Sequence, residues 1–107
     1  RLCFVDLAGS ERQAKTQALG MHIGEAGKIN NSLMTLGKCI EAMRYNQYHR
    51  NHPRIVPFRE SQLTRWLQNH FAGRGLISMI VNISPCTQVY DETLHVLKFS
   101  AIAKQVS

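Results

Sequence analysis

The chain has 107 residues, enough for one small domain with a core but few for a self-contained catalytic α/β unit. Its net charge of +6 favours an acidic partner, whether nucleic acid, an anionic protein polymer or membrane headgroups. Cys3, Cys39 and Cys86 are scattered and form no C-x-x-C pair, which points to a reducing compartment and argues against structural zinc; no run is long enough to span a membrane, and no signal peptide is expected.

Residues 2–7, LCFVDL, read as a short buried strand whose unbroken apolarity suits a parallel sheet. The polar stretch 8–24, with Gly9, Gly20 and Gly24, reads as a loop. From 25 to 45 the period becomes helical: Ile29, Leu33, Leu36, Ile40 and Met43 share one face, while Thr35, Lys38, Glu41 and Arg44 fall largely on others. A basic connector, 46–59, is broken by Pro53 and Pro57. Ser61 is placed to cap a helix over 61–72, with Leu63, Leu67 and Phe71 on one side and Trp66 as a packing residue, and Gly73 and Gly75 end it. A second strand is expected over 76–84. Pro85 stops it, and Thr87 caps a final helix over 87–104 with stripes Leu94, Leu97, Ala101 and Val96, Phe99, Ala103. Two strands neither satisfy their edges nor cover three apolar helices. The chain is therefore expected to be a portion of a larger α/β sheet. Its first residue, an Arg at the edge of an apolar run, fits that expectation.

In CFVDLAGSE an apolar run ends in Asp6, and Gly9 follows three residues later. Ligand-handling residues of open α/β sheets sit beyond the carboxyl ends of strands. A carboxylate there suits the orientation of hydrated magnesium, and a glycine amide approaches a phosphate without a side chain in the way. The plainer reading, an Asp capping the next turn, carries equal weight on this pattern alone. The phosphate-cradling motif G-x-x-x-x-G-K-S/T is missing: Gly27 and Lys28 are followed by Ile29, and His22 stands at the first glycine.

Four blocks in order resemble the kinesin motor domain. Asp6 to Arg12, DLAGSER, is similar to its switch II signature, and Glu25 to Leu33, EAGKINNSL, to the start of its relay helix. VPFRESQLTR, residues 56–65, resembles the V-P-Y/F-R-D/E-S-K-L-T-R block, and ETLHVLKFSAIA, residues 92–103, its last helix. GRGLISMIVNISPC and YDETLHVLKFSAIA look most like the mitotic kinesin-6 group. The resemblance implies the P-loop NTPase fold, α/β with a largely parallel central sheet and helices on both faces; this chain would supply two core strands and three helices, with the P-loop strand between those strands and outside it.

The resemblance also implies roles. Asp6 holds a water on Mg²⁺, the Gly9 amide senses the γ-phosphate of ATP, and Glu11 pairs with a switch I arginine elsewhere in the parent chain. For Gly9 the plainer reading is an ordinary turn glycine; for Arg12, packing or a local ion pair is as good a reading as a direct role. The microtubule-facing residues are Lys15, Lys28, Asn30, Arg54, Arg59 and Arg65, although Lys15 and Lys28 read equally well as solvated lysines. The family often has Asn at 28, Lys at 31 and Lys at 62, where this chain has Lys28, Asn31 and Gln62. The five arginines between Arg44 and Arg65 face Glu60 alone, a footprint for an acidic polymer, though such a run by itself is more often a solvated face. His49 and His52 lack an acidic or cysteine neighbour for a metal and read as loop residues.

The implied function is a microtubule-stimulated ATPase motor of mitosis or cytokinesis, on spindle microtubules in the cytoplasm, dimerised by a coiled coil outside this chain. Neither nucleic acid nor membrane is an expected partner. A non-hydrolysing microtubule adaptor is the second reading. A nucleic-acid module is the third, and it lacks interleaved aromatics or a reading helix.

Overall fold

The computed structural model describes residues 2–9, 22–86, 88 and 90–106, with 22–30 and Arg74 described by backbone alone. Everything packs around one long helix, α1, which runs His22–Tyr48. It begins and ends three residues beyond the expected 25–45, so residues 22–24, expected in the loop, are helical. Gly24 and Gly27 cost about 1 kcal/mol each relative to alanine inside a helix, too little to stop one that is held by tertiary packing. At the other end no helix breaker occurs before Pro53.

α1 buries Leu36, Cys39, Ile40 and Ala42, with Leu33 and Met43 half-buried. Thr35, expected off the core face, is 1% exposed. The buried arc is wide because two elements flank α1: α2 (Gln62–Asn69) with the preceding 3₁₀ turn Phe58–Glu60, and α3 (Tyr90–Ala103). A Cβ on Gly37 would stand 3.4 Å from the Phe99 ring, so this glycine sets how closely α3 approaches. Side chains also hold the three together. The ammonium of Lys38 pairs with Glu60 at 3.3 Å, and Arg44 Nη1 donates to Gln105 Oε1 at 3.0 Å. Both Lys38 and Glu60 are more than half exposed, so their pair adds little stability.

Ser61 caps α2, its Oγ accepting from the Thr64 amide at 3.1 Å. Thr64 is fully buried, and its hydroxyl donates to the Phe58 carbonyl at 2.8 Å. One buried side chain thus ties the 3₁₀ turn to the first turn of α2. Leu63, Leu67 and Phe71 are half-buried, whereas Trp66 is 49% exposed and meets His70 on the outer face, a correction to its expected packing role. α2 is shorter than the expected 61–72. It widens into a π-type turn, His70–Arg74, that Gly73 closes at φ 82°, where a side chain would be strained.

α3 is described from Tyr90 onward, and Asp91 and Glu92 favour the positive end of its dipole. The expected cap, Thr87, lies outside the described residues. Val96, Phe99 and Ala103 are half-buried, while Leu94, Leu97 and Ala101 are exposed. One expected stripe therefore packs within this chain and the other does not.

Residues 2–7 and 76–84 are irregular rather than paired, and no strand is present among the described residues. Phe4 is 89% and Leu76 94% exposed. A strand is held by ladder bonds to its neighbours, and these two segments find none among the described residues.

Candidate functional site

Asp6 is exposed at the end of the apolar stretch 2–5, and Gly9, also exposed, follows in the same segment. Glu11, Arg12 and Lys15 lie outside the described residues. Lys28 and Asn30 sit on the N-terminal part of α1. No group of three or more His, Cys, Asp or Glu is placed to hold a metal among the described residues, and Asp6 supplies an exposed carboxylate. That donor set fits Mg²⁺, which takes one or two carboxylates together with substrate phosphates and water rather than an all-protein cage. His49 and His52 belong to the turn after α1. The ring Nδ1–H of His49 donates to the Tyr45 carbonyl at 3.0 Å.

The basic residues divide into two groups. Arg59, in the 3₁₀ turn, and Arg65, on α2, are exposed neighbours, the Arg65 guanidinium donating to the Arg59 carbonyl at 3.3 Å. The buried Thr64 hydroxyl beneath them fixes the turn from which both project. Arg54 lies at the far end of α1, its guanidinium 3.8 Å from the centroid of the Tyr45 ring. Its backbone is held by Asn46, whose Oδ1 accepts from the Arg54 amide at 2.7 Å and whose Nδ2 donates to the Arg54 carbonyl at 2.9 Å. Periodicity carries no sign of that pairing; the only hint is an Asn eight residues before an Arg across a Pro-containing loop.

Cys39 lies where α1 meets the 3₁₀ turn. Burial, with a smaller push from the Glu60 carboxylate, raises its thiol from 9.0 to about 11. The folded state holds this proton more tightly than the unfolded chain. Its contribution to stability is therefore intact below pH 9.0 and is lost as pH rises towards 11. The thiol is expected to resist alkylation at neutral pH in the parent protein and to label only on denaturation, as followed by mass spectrometry. Labelling at the rate of a free thiol would show that Cys39 is not in this packed seam.

Asp6 and Gly9 precede α1, and exposed basic side chains lie beyond it in two groups, Arg54 in the loop after α1 and Arg59 with Arg65 on the 3₁₀ turn and α2. Residues 1–106 match the kinesin motor domain, and the chain belongs to that family. It is 58% identical over 105 residues to kinesin-like protein KIF20A of Homo sapiens and 56% identical over 105 residues to KIF20B of Homo sapiens, both matches covering 98% of this chain. Both are kinesin-6 relatives, the group its wording resembles. The chain spans 12% of the first relative and 6% of the second. Among solved structures, a KIF14 dimer, in a two-heads-bound state with AMP-PNP and in complex with a microtubule, is similar with a TM-score of 0.83 at 36% identity, over 94% of this chain and 27% of that one. The chain thus corresponds to a part of the kinesin motor fold.

Proposed function

We infer that these residues are the switch II-to-last-helix portion of a microtubule-stimulated ATPase motor acting in mitosis or cytokinesis. The observation that carries this reading is the KIF14 likeness, a motor seen on a microtubule with a nucleotide analogue, together with DLAGSER at the end of the first apolar segment. In the parent chain the segments 2–7 and 76–84 become strands on either side of the P-loop strand, which explains their exposed apolar side chains here.

Asp6 orients a water beside the phosphates, and the Gly9 amide approaches the terminal phosphate. Glu11 closes the site by pairing with a switch I arginine of the parent chain. Bound Mg²⁺ supplies charge neutralisation to the transferring phosphoryl group of ATP, and the protein's part is positioning and electrostatics. The long rod of α1 then transmits the state of this region, because α2 and α3 are packed against it. Lys15, Lys28, Asn30, Arg59 and Arg65 meet the acidic surface of tubulin, and Arg54, in the same basic run, serves that interface through the loop it belongs to. No helix among the described residues is long and apolar enough to cross a membrane. The parent is proposed to dimerise through a coiled coil beyond these residues and to work on spindle microtubules.

The test is steady-state ATP turnover by the parent chain with and without microtubules, with Arg59→Ala as a companion. Strong stimulation that Arg59→Ala reduces by raising the microtubule concentration needed is the expected result. Microtubule binding without stimulation would move the assignment to a non-hydrolysing adaptor.

A further inference from the structure

The end of α1 and the loop after it are closed by three side chains that sequence reasoning did not bring together. Asn46 takes both the amide and the carbonyl of Arg54, at 2.7 and 2.9 Å, as a neighbouring strand would. The Tyr45 ring is stacked with the His49 imidazole at 3.9 Å, nearly parallel at 5°, and the Arg54 guanidinium also lies over it, at 3.8 Å. The His52 amide donates to the His49 carbonyl at 3.2 Å, which tightens the turn between. Arg50 stands in that turn, exposed.

We propose that Tyr45, Asn46 and Arg54 form a clamp that holds the loop 49–53 closed against the end of α1 and so presents Arg50 to the acidic microtubule surface. Arg54 is then a positioning residue and Arg50 the contact. This deepens the motor reading and rests on it. The physical reason is entropic. A connection tethered only at its ends samples many shapes, and a cation at its tip binds weakly until ordered. Two reciprocal hydrogen bonds and a cation–π contact order the loop before binding. Lysine would not replace Arg54, because the planar guanidinium is what stacks on the ring.

The experiment uses the full parent motor and the variants Asn46→Ala, Arg50→Ala, their double variant, Arg54→Lys and Arg54→Gln, none of which touches the nucleotide site or the α1 core. Amide hydrogen exchange at Arg54 and microtubule Kd at low and high salt are measured for each. Asn46→Ala is expected to speed exchange at Arg54 by about tenfold, the scale of one or two lost hydrogen bonds. Arg50→Ala is expected to weaken binding by about threefold to fivefold and to flatten its salt dependence. Asn46→Ala is expected to weaken binding by about twofold to threefold with its salt dependence kept, and to add nothing once Arg50 is gone, the mark of one residue acting through another. Arg54→Lys behaves like Asn46→Ala.

Independent, additive effects of Asn46→Ala and Arg50→Ala overturn the positioning role. So does an Arg54→Lys variant that binds like the wild type while Arg54→Gln does not, because Arg54 is then itself the contact. Unchanged exchange in Asn46→Ala removes the clamp. A wild-type motor that shows protection at Arg54 yet binds no microtubules refutes the motor reading, and the positioning role with it, while leaving the loop closure measured.

Discussion

Asp6→Asn in the parent motor is expected to lower ATP turnover by at least about a hundredfold, with and without microtubules, the scale of losing one preorganised electrostatic group at a transferring phosphoryl centre. The two side chains are almost the same size, so packing changes little. The charge and one acceptor oxygen are lost, and an amide cannot balance a hydrated divalent cation as a carboxylate does. Asp6 is exposed at the end of its segment, and no core contact within these residues depends on it. A folding defect is therefore not the expected cause. The check is steady-state turnover beside microtubule co-sedimentation without nucleotide. Turnover should collapse while nucleotide-free binding stays. Wild-type turnover in this variant would remove Asp6 from the nucleotide site and leave it as a turn cap.

The second large effect concerns residues 1–107 expressed alone, which are expected to show no cooperative thermal transition and no ATP turnover. The chain exposes 8985 Å², against roughly 6,000 Å² for a compact monomer of its 12.2 kDa mass. Its radius of gyration is 15.2 Å, where about 13 Å is expected for this length. Among the described residues the buried apolar set is only Leu36, Cys39, Ile40 and Ala42, while Leu2, Phe4, Leu76 and Ile80 lie open to solvent. Folding has to offset about 1–2 kcal/mol of backbone entropy per residue, and so small a core does not supply that. Calorimetry and amide NMR are the measurements. A sharp two-state melt with a dispersed spectrum would show that the piece is an autonomous domain, and that the exposed segments find partners within it.

The sequence by itself determined where the helices lie. The period from Ile29 to Met43 marked α1 and Ser61 marked the start of α2, because each is a local pattern of side chains a few residues apart, whereas the Asp6-to-Gly9 spacing alone fitted a turn cap as well as a nucleotide-handling turn. Arg59 and Arg65 were legible through the block that contains them. What periodicity leaves open is which face of a helix its neighbours cover. α3 carries two apolar stripes, and only packing against α1 selected Val96, Phe99 and Ala103 over Leu94, Leu97 and Ala101. Thr35 is buried for the same reason, since two flanking elements widen the covered arc beyond the apolar stripe. The segments 2–7 and 76–84 read as strands from composition, yet a strand exists only with a partner, and neither finds one among the described residues. The clamp of Tyr45, Asn46 and Arg54 belonged wholly to the tertiary structure. A side chain that bonds the backbone eight residues away has no period to betray it, and only the path of the loop brings the groups within 3 Å.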